Sequence, residues 1–293
     1  MLSTVCPQIV DNSDFIDMSG LCPKTLNRLQ VIALVLGLTL LCVAGSTAPV
    51  QAQDDGEMAT ADAVAQRMME AHGAEAWKTL PYLRFDFAVE GNGDTRIVAR
   101  NLWNRRTGAY RIELPDSAQT VVVIQTNESS PGNVTGTVYK NGEEVTGDQK
   151  ADLLKTGYQR FINDTYWLTA PLKVFDDGVN RSYLADSSDA EHDVLHLTFG
   201  DVGLTPDDEY WLYVDKETGL LDRWAFRLQS MPNDATPAAF DWAGYVTLTA
   251  PGGEVQLAER HEGGQRAILT NNLSAPESLP DDAFTSPTPM LGE

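Results

Sequence analysis

The sequence predicts an α+β fold in which a few helices cover an antiparallel sheet. Three observations carry this. Segments with apolar residues alternating against polar ones recur from residue 83 to residue 270. Short turns join them, among them Asn141-Gly142 and residues 215–219. Only two stretches have helical spacing, so the chain does not read as alternating βαβ units.

The first helix is expected over 60–72. Thr60 or Asp62 can cap it, Val64, Met68 and Ala71 share a face, and Gly73 stops it. Trp77 and Leu80 are expected to fold back on that face. His72, in the last turn, is expected as a cation favoured by the helix dipole. Leu83, Phe85, Phe87 and Val89 then alternate with Arg84, Asp86 and Glu90, the pattern of a half-buried strand. Strands follow over 97–103, 110–114 and 121–126. Residues 137–140 and 143–146 form a hairpin about Asn141-Gly142. Residues 148–161 break the pattern, with Leu153, Leu154, Tyr158 and Phe161 at helical spacing. Strands resume over 193–199, 209–215, 221–228, 241–249, 254–261 and 265–270. There is no internal repeat and no long linker, so residues 53–293 read as a single domain.

The N-terminus reads as an address. Lys24 and Arg28 precede an uncharged apolar run over 31–45, and Val50-Gln51-Ala52 follows it. That is the plan of a secretory signal cleaved after Ala52. The run has 15 residues, where a permanent span needs about 20. Asp11, Asp14 and Asp17 do not suit the positive start of a signal, so Met18 is an alternative first residue. Cleavage would remove Cys6, Cys22 and Cys42, leaving no thiol and no disulfide. A lipid anchor at Cys42 is the other outcome, disfavoured by Leu41 in front of it. The address is therefore exported, periplasmic or extracellular.

The chain holds 42 acidic and 21 basic residues, a net charge of −21. Phosphate recognition needs a basic face, so nucleic acid is excluded as a partner. Asp outnumbers Glu by 26 to 16, and the charge is spread along the chain. Such a surface repels itself in dilute buffer and is relieved by concentrated salt. A high-salt habitat is the expectation, with an ordinary acidic exported protein as the alternative.

The sequence offers little reactive chemistry. His192 and His196 lie four apart beside Glu191 and Asp193, but on a strand that spacing is about 13 Å, too far for one zinc ion. Residues 201–209 do not supply the ordered oxygens of a calcium loop. His261 is placed at a strand end before Gly263-Gly264, with no partner spacing for a triad. There is no Gly-x-Ser-x-Gly elbow, phosphate loop or dinucleotide fingerprint. No cofactor, metal or catalytic residue is expected.

What stands out is aromatic: residues 161–168 (FINDTYWL), residues 209–215 (EYWLYVD), and Trp103, Trp224 and Trp242. These are the residue types of a packed core and equally of an apolar cavity wall. As a cavity wall, the candidate lining is Trp103, Phe161, Tyr166, Trp167 and Trp211.

The runs FINDTYWLTAPLKVFDDGV and LTPDDEYWLYVDKETGLLDRW resemble an uncharacterised family of bacterial envelope proteins, itself akin to the LolA-like carriers of outer-membrane lipoproteins. AHGAEAWKTLPYLRFDF and SLPDDAFTSP fit the same plan. The resemblance implies a curved half-barrel closed by helices over an apolar cavity that shelters acyl chains, without catalysis. Burying each CH₂ gains about 0.8 kcal/mol, so a sixteen-carbon chain offers roughly 10 kcal/mol before binding costs. The leading reading is an exported binding protein for a lipid, lipoprotein acyl chain or other hydrophobic ligand. The alternatives are an envelope interaction module with a filled core and, third, a hydrolase.

Overall fold

The structure, a computed structural model, describes residues 55–200 and 204–292. The signal region, Met18 and Cys42 lie outside the described residues.

Two helices open the described chain, α1 (Asp55–Ala71) and α2 (Ala74–Thr79). Six strands follow: β1 (Tyr82–Gly91), β2 (Asp94–Asn104), β3 (Ala109–Glu113), β4 (Val121–Gln125), β5 (Gly136–Lys140) and β6 (Glu143–Glu144). Then comes the long helix α3 (Gly147–Thr169). Seven more strands complete the sheet: β7 (Val179–Tyr183), β8 (His192–Phe199), β9 (Glu209–Asp215), β10 (Leu221–Arg227), β11 (Ala238–Ala250), β12 (Gly253–Gly263) and β13 (Arg266–Ser274).

All 13 strands form one sheet in the order β6-β5-β4-β3-β2-β1-β13-β12-β11-β10-β9-β8-β7, and every pairing is antiparallel. It is two meanders, each running strand to neighbouring strand, joined where β1 pairs with β13. The sheet is curved and does not close into a barrel. The turns are those the sequence requires. Asn141 and Gly142 both have positive φ (50° and 82°), as do Asn92 and Gly93 (55° and 84°). That is the twist of a two-residue hairpin turn.

The topology explains where α3 must go. The first meander ends at one edge of the sheet and the second begins at the opposite edge. Laid flat, the edges would stand about 58 Å apart, whereas a 23-residue helix covers only about 34 Å. Residues 170–178 and the curvature of the sheet make up the difference, and α3 crosses the concave side. Its first half packs on β4 and β5 and its second half on β12. Leu154, Tyr158 and Ile162 bury against Tyr110, Ile112, Val122 and Ile124. Tyr166, Trp167 and Leu168 join the larger core with α1, α2 and the strands of the second meander.

Several expectations need correction. The helix expected from residue 148 to residue 161 is α3, and it runs on through Thr169. Residues 161–168 are apolar or neutralised on nearly every side, so the helical period is hidden there. Strand β7 has one buried residue, Val179, in five, and carries no alternation to read. His72 is not a cation at a helix end. It is buried, its Nδ1–H donates to the Gln256 carbonyl (3.0 Å), and its Nε2 accepts from the Leu221 N–H (3.2 Å). Burial, opposed by the Gln256 bond, lowers its pKa to about 4, so the ring is neutral. His261 lies inside β12, wholly shielded from water.

The outer face carries a second feature. After β13 the chain returns across β3 as a strap over 280–291 that includes a hydrogen-bonded turn over 280–286. Arg111 and Glu113, adjacent on the outer side of β3, pair at 2.7 Å with both side chains buried. Arg111 donates to the carbonyls of Ser286 (2.8 Å) and Thr288 (2.5 Å), and Glu113 accepts from the N–H groups of Met290 and Leu291.

Candidate functional site

The concave side holds most of the aromatic residues singled out in the sequence. Trp103 on β2 and Phe161 on α3 meet edge to face with ring centres 5.3 Å apart, and Phe161 reaches Tyr110 at 4.8 Å. One turn and a half further along α3, Tyr166 packs on Tyr210 (5.3 Å) and Trp224 (5.7 Å). Trp167 touches Trp224 (4.7 Å), Phe240 (4.9 Å) and His261 (5.4 Å). Trp242 bridges Trp224 (5.3 Å) and His261 (4.5 Å). Four of the five candidate residues therefore lie between α3 and the sheet, Trp103 and Phe161 in one ring cluster and Tyr166 and Trp167 in a second, the aromatic seam they form with Trp224, Trp242 and His261.

Trp211 is placed elsewhere. Along β9 the side chains of Tyr210, Leu212 and Val214 are buried, and Trp211 alternates with them on the outer face. There it stacks on His196 (4.9 Å, 21°), with the Arg227 guanidinium 5.8 Å above it. Glu209 ties the group together by accepting from His196 (3.0 Å) and pairing with Arg227.

The seam is unusual in its polar atoms. The indole N–H groups of Trp167, Trp224 and Trp242 and both ring nitrogens of His261 are buried and have no hydrogen-bond partner among the described residues. All four residues are at most 4% exposed. Burial lowers the His261 pKa to about 3, so the ring stays neutral. Trp103 Nε1 and the hydroxyls of Tyr110 and Tyr158 are likewise without partners. An unmet buried donor costs roughly 1–3 kcal/mol, so each such group calls for an explanation.

The facing side of α3 is polar as well. Arg160 bonds Asp164 through two contacts of 3.2 Å, and the Asn163 amide donates to Asp164 (3.0 Å). Burial holds the Asp164 carboxyl above its usual range, with Arg160 pulling the other way. The Thr165 and Thr169 hydroxyls donate to the carbonyls of Phe161 (2.6 Å) and Thr165 (2.7 Å), one turn back. These bonds travel with the helix.

On the outer rim, His192, Asp215 and Asp222 bring ligand-type atoms within 4.8 Å of one another. His192 Nε2 is engaged with Asp222 (3.1 Å), and Asp215 accepts from the N–H and hydroxyl of Thr218 (both 2.6 Å).

No family model matches the chain, and no curated protein matches its sequence. Its likenesses are structural. The chain is similar to solved DUF1329 and LolA-superfamily proteins. The DUF1329 protein from Desulfovibrio piger is 13% identical, with 78% of this chain and 97% of that one covered and a TM-score of 0.45. The LolA superfamily protein from Nitrosomonas europaea is 10% identical, with 77% and 97% covered and a TM-score of 0.42. Among the described residues no helix is long and apolar enough to cross a membrane.

Of the site, the sequence reading missed His261. A histidine flanked on its strand by Arg260 and Glu262 carries no local sign of burial. Trp224 and Trp242 were visible as aromatics, but nothing local placed them with His261.

Proposed function

We propose that the protein is an exported, non-catalytic binding protein for a hydrophobic ligand such as a lipid or lipoprotein acyl chain, held between α3 and the concave face of the sheet. The observation that carries this reading is the seam of aromatic rings with four unmet buried polar residues, Trp167, Trp224, Trp242 and His261. A core meant to stay sealed gains nothing from those nitrogens. A binding site uses apolar walls for affinity and a few donors for orientation. Trp103, Phe161, Tyr166 and Trp167 serve as the wall. In this reading α3 is the cover: it joins the two sheet edges and carries its Arg160–Asp164 pair with it when it lifts. Gly147, at φ 68° in open space, gives it a pivot.

Native mass spectrometry of the purified protein, with uptake of a fluorescent fatty acyl probe, tests this. A co-purifying lipid or saturable uptake is expected. Repeatedly ligand-free protein that takes up no probe overturns the reading. One observation favours a second reading, an envelope interaction module with a filled core: Trp167 and Trp224 are completely enclosed by the protein's own side chains.

A further inference from the structure

We infer that the seam selects ligands whose polar end is an uncharged hydrogen-bond acceptor, such as an ester or amide carbonyl, and discriminates against a free carboxylate. This rests on the binding reading above and adds the chemistry of the ligand's head.

Charge sets the preference. The unmet groups on the sheet side, Trp224, Trp242 and His261, together with Trp167 on the helix, lie in one connected patch with ring centres 4.5–5.4 Å apart. An indole nitrogen can only donate, and a neutral imidazole donates from one nitrogen and accepts at the other. The patch thus offers up to four neutral donors and no cation of its own. The charged residues on the neighbouring positions are spoken for. Arg223, next to Trp224, faces outward and pairs with Asp241 at 2.5 Å. Arg260, next to His261, pairs with Glu90 and with Glu262, each at 2.6 Å. On α3, one turn before Trp167, Asp164 sits buried against Arg160. A carboxylate placed in the patch would meet no free counter-ion there, because Arg160 is already neutralised by Asp164. Burying an unpaired charge is far more costly than burying a hydrogen-bonded carbonyl. A fatty acid could enter only as the neutral acid, and at pH 7 a carboxyl of ordinary pKa is ionised by more than a hundredfold. An ester has no such penalty, and its carbonyl oxygen has two lone pairs for the donors.

Three pyrene probes of equal chain length separate the terms in the wild-type protein at pH 7: 1-decylpyrene, 1-pyrenedecanoic acid and its methyl ester. The ester is expected to bind about tenfold or more tightly than the acid, and more tightly than the hydrocarbon. In His261→Phe, which keeps a ring and removes both nitrogens, the ratio of ester to hydrocarbon affinity should fall about tenfold. Trp242→Phe should lower the same ratio, and it serves if His261→Phe does not fold. Acid binding as tightly as ester, or an ester-to-hydrocarbon ratio unmoved in both variants, overturns the inference while leaving the binding reading intact. Failure of the wild type to bind any of the three overturns both.

Discussion

Gly157 of α3 lies directly against Val122 of β4. A Cβ built on Gly157 would stand 3.5 Å from the Val122 Cβ and 2.7 Å from its Cγ1. The absence of a side chain is what lets the helix approach the sheet here. The spacing also falls at the short end of the Cβ–Cβ range of a disulfide. Gly157→Cys with Val122→Cys, made without the three native cysteines that precede residue 53, should crosslink α3 to the sheet on oxidation. If α3 must lift to admit a ligand, the oxidised protein takes up an acyl probe at least about tenfold more slowly, and reduction restores the rate. Equal uptake by both forms would show that α3 is not the cover.

Trp167 and Trp211 should separate cleanly in stability. Trp167 is fully buried among aromatic rings, and its replacement by Ala should cost about 3–5 kcal/mol. Trp211 is half-buried on the outer face, and its replacement by Ala should cost about 1 kcal/mol or less. Urea unfolding measures both, and the reverse order would contradict the placement of the two rings on opposite faces.

The strap over 280–291 should depend on the Arg111–Glu113 pair. Arg111→Met leaves the buried Glu113 carboxylate without its counter-ion and should cost about 3–5 kcal/mol. Arg111→Met with Glu113→Leu should recover part of that loss. Limited proteolysis should cut the C-terminal segment faster in the single variant than in the wild type. Unchanged cutting would mean that the strap is held by other contacts.

His72 should impose a slope on stability below neutrality. Its pKa falls from 6.5 in the unfolded chain to about 4 in the folded one. The unfolded state therefore binds the extra proton between these values, and stability falls as the pH drops from 6.5 towards 4. Below about 4 both states are protonated and the loss stops growing. The buried, neutral His261 acts in the same direction. His72→Gln should flatten the slope of unfolding free energy between pH 6.5 and 4.5, as measured by urea titration at each pH. A slope of the same size in the variant would place the titration elsewhere.

Salt should stabilise the protein. With a net charge of −21, self-repulsion is long-ranged in dilute buffer and screened within roughly 3 Å near 1 M salt. The melting temperature is expected to rise from dilute buffer to molar KCl. A fall would reject a high-salt habitat.

Much of the sheet was legible because its signals are local. Alternation in Leu83, Phe85 and Phe87 places a buried face wherever that strand pairs. Asn141-Gly142 turns the chain whatever lies around it. The site was legible only in composition. In β9 both faces are rich in aromatics, Tyr210 on one side and Trp211 and Tyr213 on the other, so alternation could not say which face was buried. That choice belongs to the pairing with β8 and β10.

By itself, then, the sequence determined the antiparallel strands, their hairpins, the acidic surface and the aromatic stock, because each depends on neighbours a few residues away. Only the tertiary structure decided that α3 crosses the concave side, that Trp167 comes to rest on His261 and Trp224, and that Arg111 and Glu113 are buried under a returning strap. Those outcomes follow from joining opposite edges of a curved sheet with one helix, and a contact set by chain closure leaves no mark in the residues that make it.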